Sequence, residues 1–170
     1  MHQMKQPTGK LARGGRFSGK VRIRLVCFGK MAPRALQPAQ EEYADRLRRL
    51  CRFELDEHPE DKSNSPLERE ADLVRKRTET FPLRICLDSR GVAWSSERWA
   101  KELELWRREQ PNVALVIGSA DGLHPELVRQ SSTVSLGPIT LPHSLARVVL
   151  LEQLYRAHTL VLGHPYHSGH

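Results

Sequence analysis

From Val21 onward the sequence switches repeatedly between two periodicities, and that alternation limits the fold more than any single motif. "VRIRLVCF" (21–28) alternates as a strand does. "PAQEEYADRLRRL" (38–50) follows as a helix, with Pro38 in its first turn and Tyr43, Leu47 and Leu50 on one stripe. "RFELDEH" (52–58) reads as a second strand. A polar loop without a fold-forming pattern, "PEDKSNSP" (59–66), leads to a charged helix, "LEREADLVRKRTE" (67–79), with a thin apolar stripe at Leu67, Ala71 and Val74. "LRICLD" (83–88) predicts a third strand, and "SSERWAKELELWRRE" (95–109) a helix opened by a serine cap. "NVALVIG" (112–118) is a fourth strand with the unbroken apolar run of a sheet centre. A last strand and the loop "LGPITLPH" precede a long helix over 144–162. Strand and helix alternate throughout, so the expected class is α/β: a parallel sheet flanked by helices on both faces.

Ligands of such sheets bind beyond the carboxyl ends of the strands. Three glycine-bearing segments follow strands here: "LDSRG" (87–91), "GSADG" (118–122) and "LGPITLPH" (136–143). None matches a dinucleotide or P-loop fingerprint, and any tight strand-to-helix connection needs glycine. Three in one small sheet nevertheless point to a shared pocket. The third is distinctive, because Pro138 and Pro142 fix two φ angles, remove two amide donors and enclose no charge. Stiffness of this kind suits a site that reads a ligand through backbone atoms; a buried crossover loop without a ligand accounts for it equally well.

Composition excludes several classes. At 170 residues the chain has the length of one domain with an adequate core. Its longest apolar runs fall far short of the roughly 20 residues a spanning helix needs, so no membrane role is expected. Cys27, Cys51 and Cys86 are an odd, dispersed set among apolar neighbours, which predicts buried thiols in a reduced, cytoplasmic protein. The net charge of +7 suggests nucleic acid, but Lys5, Lys10, Arg13, Arg16, Lys20, Arg22 and Arg24 supply it all; the rest of the chain carries 20 basic and 20 acidic residues. Residues 1–20, basic and without hydrophobic periodicity, read as a disordered extension or as sequence outside the native start, and 21–170 as the single domain.

Two features of the carboxyl-terminal region invite a functional reading. Leu145, Val148, Val149, Leu150, Leu151, Leu154 and Tyr155 make the 144–162 helix apolar on more than one side, which predicts a second covering surface and hence a homodimer. Glu152 and Arg156, four residues apart, are placed for an intrahelical ion pair. Five of eight histidines follow residue 142, yet His164, His167 and His170 lack the partners of a metal site, so no metal is expected.

"LDSRG", "SSERWAKEL", "VIGSADGLHPELV", "LGPITLPHSLARVVLLEQLYRA" and "HPYH" together resemble the RlmH (YbeA) family of SPOUT methyltransferases, and the similarity spans Val21 to His167. The resemblance implies a C-terminal trefoil knot and S-adenosylmethionine as methyl donor. It further implies methylation of N3 of a pseudouridine in 23S ribosomal RNA, on the assembled ribosome, by a homodimer with a composite active site. By position the donor contacts fall on Leu87, Gly118, Ser119, Gly137, Pro138, Ile139, Thr140, Leu141 and Pro142. Catalytic candidates are His143 and His167 for the proton, with Tyr166 and Arg147 as orienting or stacking groups; for His143, packing or capping at its helix start is the competing reading. The family's "HPYH" implies a tail that reaches the neighbouring protomer's pocket. Two departures stand out: Ser119 replaces a usual glycine and would crowd the donor at positive φ, and Ser168 replaces a usual basic residue. A ribosome-associated RNA-binding protein with weakened catalysis, or a SPOUT methyltransferase acting on tRNA, are the alternatives these departures leave open.

Overall fold

The computed structural model describes residues 20–169, without the side chain of His167. The basic extension thus lies outside the described residues except for Lys20. Five strands, β1 (Arg22–Phe28), β2 (Arg52–His58), β3 (Leu83–Ala93), β4 (Asn112–Ile117) and β5 (Ser132–Ser135), form one parallel sheet in the order β2-β1-β4-β3-β5. Helices α1 (Gln37–Leu50), α3 (Ser96–Glu109) and α5 (His143–Leu162) cover one face, while α2 (Pro66–Arg77) and α4 (Pro125–Arg129) cover part of the other. No helix among the described residues is long and apolar enough to cross a membrane.

The alternation in β1 shows how sequence becomes packing. Ile23, Leu25 and Cys27 enter the larger core with Leu47, Trp99 and Leu154, and Val26 and Phe28 enter the smaller one with Val74 and Leu127. Arg22 and Arg24 point to the second face at the C-terminal end of α2, where Arg24 donates to the Arg77 carbonyl at 2.7 Å. There their guanidinium groups lie 4.7 and 4.9 Å from the centre of the Phe81 ring and pair with Glu54. The strand is therefore amphipathic at its start and apolar at its end, because only its end is buried on both sides. All three cysteines are buried, and burial pushes the Cys27 and Cys51 thiols up to about 12, which leaves them inert as nucleophiles.

Besides shifts of one or two residues at element ends, three features bear on the sequence expectation. Helix α2 begins at Pro66 rather than Leu67, since proline is at home in a first turn. The short α4 has no counterpart in the expectation, because five residues are too few to display a helical period. Strand β3 runs on to Ala93, with Leu87 and Val92 both opposite Val134, so residues 88–91 bulge out of the ladder instead of ending it.

Helix α5 buries one face only. Arg147, Leu150, Leu151, Leu154, Ala157 and His158 are buried, whereas Leu145, Val148, Val149 and Leu160 on the opposite side remain partly exposed. The expected Glu152–Arg156 pair is present, with Arg156 Nε 2.9 Å from Glu152 Oε1.

Candidate functional site

The carboxyl ends of β3, β4 and β5 open into a cleft of about 760 Å³. All three glycine-bearing segments contribute to its wall. Leu87, Gly118, Ser119, Ile139, Thr140, Leu141 and Pro142 line it, and so does His143 at the start of α5. Gly137 and Pro138 belong to the same loop but stand off the wall, where they shape its approach. Gly137 has φ +124, and the Ser135 hydroxyl both accepts from its amide (3.1 Å) and donates to its carbonyl (2.8 Å). A glycine, two prolines and a two-way hydroxyl clamp thus fix this loop without any charge.

The 118–122 turn is equally constrained. A Cβ at Gly118 would lie 2.4 Å from the Gly122 carbonyl oxygen, so only glycine lets the turn close. Ser119 does not carry the feared strain, since every positive φ among the described residues belongs to glycine. Its side chain is buried and donates to Glu70 Oε2 at 2.9 Å, and Glu70 Oε1 accepts from the Asp61 amide at 3.0 Å. The serine therefore ties the turn to α2 and to the 59–65 loop instead of crowding the cleft.

Asp88 and Ser89, on the bulge of β3, also line the cleft and were not legible as site residues. Asp88 accepts from Arg90 Nε and Nη2 at 2.9 and 3.0 Å, and that pairing holds its carboxyl below the usual range. The sequence signal was available only as a polar bulge after a strand.

His143 lines the cleft, and no side chain caps the start of α5, whose cap position is Pro142. Capping is thus not what the imidazole does. Arg147, one turn on, is fully buried and off the cleft wall. It donates to Glu57 Oε1 (2.9 Å), Gln40 Oε1 (3.3 Å), and the carbonyls of Phe28 (2.9 Å) and Gly29 (3.2 Å). It fastens the turn after β1 to α1, β2 and α5, and the geometry gives it no surface from which to stack on a ligand.

The tail turns away from this chain's own cleft. The Tyr166 hydroxyl is 3.0 Å from that of Tyr43 and donates to Glu152 at 3.2 Å, and its ring meets Tyr155 edge-on at 4.8 Å. Burial, the Tyr43 hydroxyl and the Glu152 charge all push this phenol well above its ordinary range. Glu152 lies nine residues along α5 from His143, about 13 Å down the axis and half a turn round it. The His167 side chain lies outside the described residues. Among the described residues, no group of three or more His, Cys, Asp or Glu side chains gathers to hold a metal ion.

Comparison with known proteins agrees with this architecture. The model of the family described as predicted SPOUT methyltransferase matches residues 21–167. The Ribosomal RNA large subunit methyltransferase H of Anaeromyxobacter sp. strain Fw109-5 is 40% identical over 153 residues, covering 87% of this chain and all of the relative. The protein of the same name from Nitrosococcus oceani is 38% identical over 154 residues, covering 86% of this chain and 98% of the relative. Among solved structures, a probable methyltransferase from Bordetella pertussis Tohama I superposes with a TM-score of 0.57 at 15% identity, over 81% of this chain and 95% of that one.

Proposed function

The chain belongs to the SPOUT methyltransferase family, and from that premise we propose that it methylates N3 of a pseudouridine in 23S ribosomal RNA, using S-adenosylmethionine and acting as a homodimer on the assembled ribosome. The observation that carries this reading is the cleft, whose stiff, uncharged wall of 139–142 faces two glycine-dependent segments. The residues fit such a donor. Leu87, Ile139 and Leu141 offer apolar surface to an adenine, and the turn at 118–122 lets backbone come close. When bound, the donor supplies an electrophilic methyl group on a positively charged sulfur. In this reading the loop at 136–142 and α5 close a C-terminal trefoil knot.

For the chain's own residues two tasks remain. Alignment of the target nitrogen with the methyl group falls to the loop, whose fixed backbone spends little entropy on binding. The N3 proton must also leave, and His143 on the cleft wall is the side chain placed to accept it. Tyr166 docks on the far side of α5 from its own cleft, which supports a tail whose Tyr166 and His167 act on the other protomer's cleft. The relatives' name supports ribosomal RNA as substrate.

The test uses large-subunit particles from a strain lacking the gene, incubated with purified protein and methyl-labelled donor. Label at a pseudouridine of 23S rRNA is expected. Donor binding without label would leave only a binding protein, and label confined to tRNA would replace the substrate.

The dimer is tested separately. Leu145, Val148 and Val149 form a partly exposed apolar strip on α5, outside the buried face. Val149→Glu should leave the fold intact and convert the dimer to monomer in light scattering, with methyl transfer lost because the composite site is gone. A monomeric unmodified protein would contradict the assembly.

A further inference from the structure

The turn after β1 brings two chemically active groups together that no motif connects. A Cβ at Gly29 would lie 2.9 Å from His143 Nε2 and 3.0 Å from Glu60 Oε1, so both atoms border one small space. Only glycine leaves that space open. Gly29 also has φ +86, so its backbone and its surroundings demand the same residue. The position is held firmly, since Arg147 donates to the Gly29 carbonyl and the Ala32 amide donates to Ser144 at 3.1 Å.

Glu60 comes from the polar 59–65 loop, which by sequence is featureless. Among the described residues its carboxylate makes one hydrogen bond, a long one, with Oε1 accepting from the Ala120 amide at 3.3 Å. That contact sets the carboxylate against the 118–122 turn of the cleft. Asp88, the carboxylate on the cleft wall, is by contrast already bound on both oxygens by Arg90. Glu60 is thus the carboxylate with capacity to spare beside His143. No hydrogen bond joins the two side chains among the described residues, and the 2.9 and 3.0 Å distances place the carboxylate oxygen within 6 Å of the imidazole nitrogen.

We propose that Glu60 is a positioning residue for His143, acting across the gap kept open by Gly29 to stabilise the imidazolium formed during methyl transfer. This rests on the methyltransferase reading above. The target N–H bond breaks and its proton passes to His143 Nε2. The nitrogen electron pair forms the N–CH₃ bond as the S–CH₃ bond breaks, and the sulfur departs as a neutral thioether. His143, now positively charged, is balanced by the Glu60 carboxylate until water takes the proton. A fixed negative charge near a developing positive one stabilises the transition state more than the ground state, and so raises kcat without tightening substrate binding.

Glu60→Gln keeps the shape and the ability to accept from Ala120 while removing the charge. Its kcat should fall by about tenfold or more, with donor affinity and KM for the RNA within about twofold of the unmodified protein, and Glu60→Asp should recover part of the loss. In Glu60→Ala, sodium formate should restore turnover where sodium chloride of equal ionic strength does not. Wild-type kcat in Glu60→Gln overturns the proposal. So does a loss of donor affinity that parallels the loss of kcat with no formate rescue, because Glu60 would then be only a brace for Ala120. The unmodified protein in the same assay separates the two ideas: if it binds donor and transfers no methyl group, the methyltransferase reading fails and this inference with it; if it is active, the Glu60 variants decide this inference alone.

Discussion

Removing residues 164–170 leaves donor affinity within about twofold and cuts methyl transfer by about 100-fold or more, as loss of a positioned acid–base group does. The separation of effects follows from geometry. Every cleft-lining residue lies between Leu87 and Ala146, so the truncated chain keeps its whole binding surface. The tail instead contacts Tyr43, Glu152 and Tyr155, on the side of α5 away from His143. The paired variant, Pro138→Gly with Pro142→Gly, does the reverse: it loosens the loop and weakens donor binding. Mixing the two proteins restores activity in heterodimers that join an intact cleft on one chain to an intact tail on the other. Calorimetry and a filter assay on ribosomal particles give both numbers. Activity of the mixture that never exceeds the sum of the two parts would place the tail's work within its own chain or outside catalysis.

Arg147→Ala should destabilise the fold by about 3 kcal/mol or more in denaturant unfolding. Three costs combine. The carbonyls of Phe28 and Gly29 lose their donor, Gln40 loses a partner, and a fully buried long side chain leaves a cavity. Arg147→Met refills most of the volume and should recover part of the loss. Glu57→Gln should cost less than about 1 kcal/mol, because Glu57 is 41% exposed and its pairing is screened by water. The order Ala, then Met, then Gln in decreasing damage is the signature of a buried hydrogen-bond hub. Equal stability for Arg147→Ala and the unmodified protein would show that the turn after β1 is held by something else.

Acid–base partnerships were the least legible part of the site. The three glycine-bearing segments at 87–91, 118–122 and 136–143 were readable as a candidate pocket, because glycine turns and paired prolines leave local marks wherever they occur, whereas the individual donor contacts came from the family resemblance. Glu60 left none: it lies among seven polar loop residues, and its neighbour His143 is more than eighty positions away. The partners of Arg147 were out of reach for the same reason. It clamps the carbonyls of Phe28 and Gly29, over a hundred residues upstream, and no local mark on α5 announces them. Ser119 was read against its φ, whereas its hydroxyl is committed to Glu70, 49 residues away.

What the sequence alone determined is whatever repeats within a few residues. The periods of β1 through α5 follow from which side of each element meets water, so the parallel α/β class could be read directly and most element ends to within two residues, the end of β3 and the short α4 excepted. The cap of α3 by Ser95 obeys the same local rule, with Arg98's amide donating to its hydroxyl at 3.2 Å. Strand order was left to the tertiary structure, and so was everything that depends on it. Placing β4 between β1 and β3 brings the 118–122 turn between the Gly29 turn and the β3 bulge, and that neighbourhood sets Glu60, Gly29 and His143 around one gap. The reason is physical: periodicity records whether a side chain is buried, which one residue's chemistry can encode, whereas the identity of its neighbour depends on pairing between distant segments, which no short stretch contains.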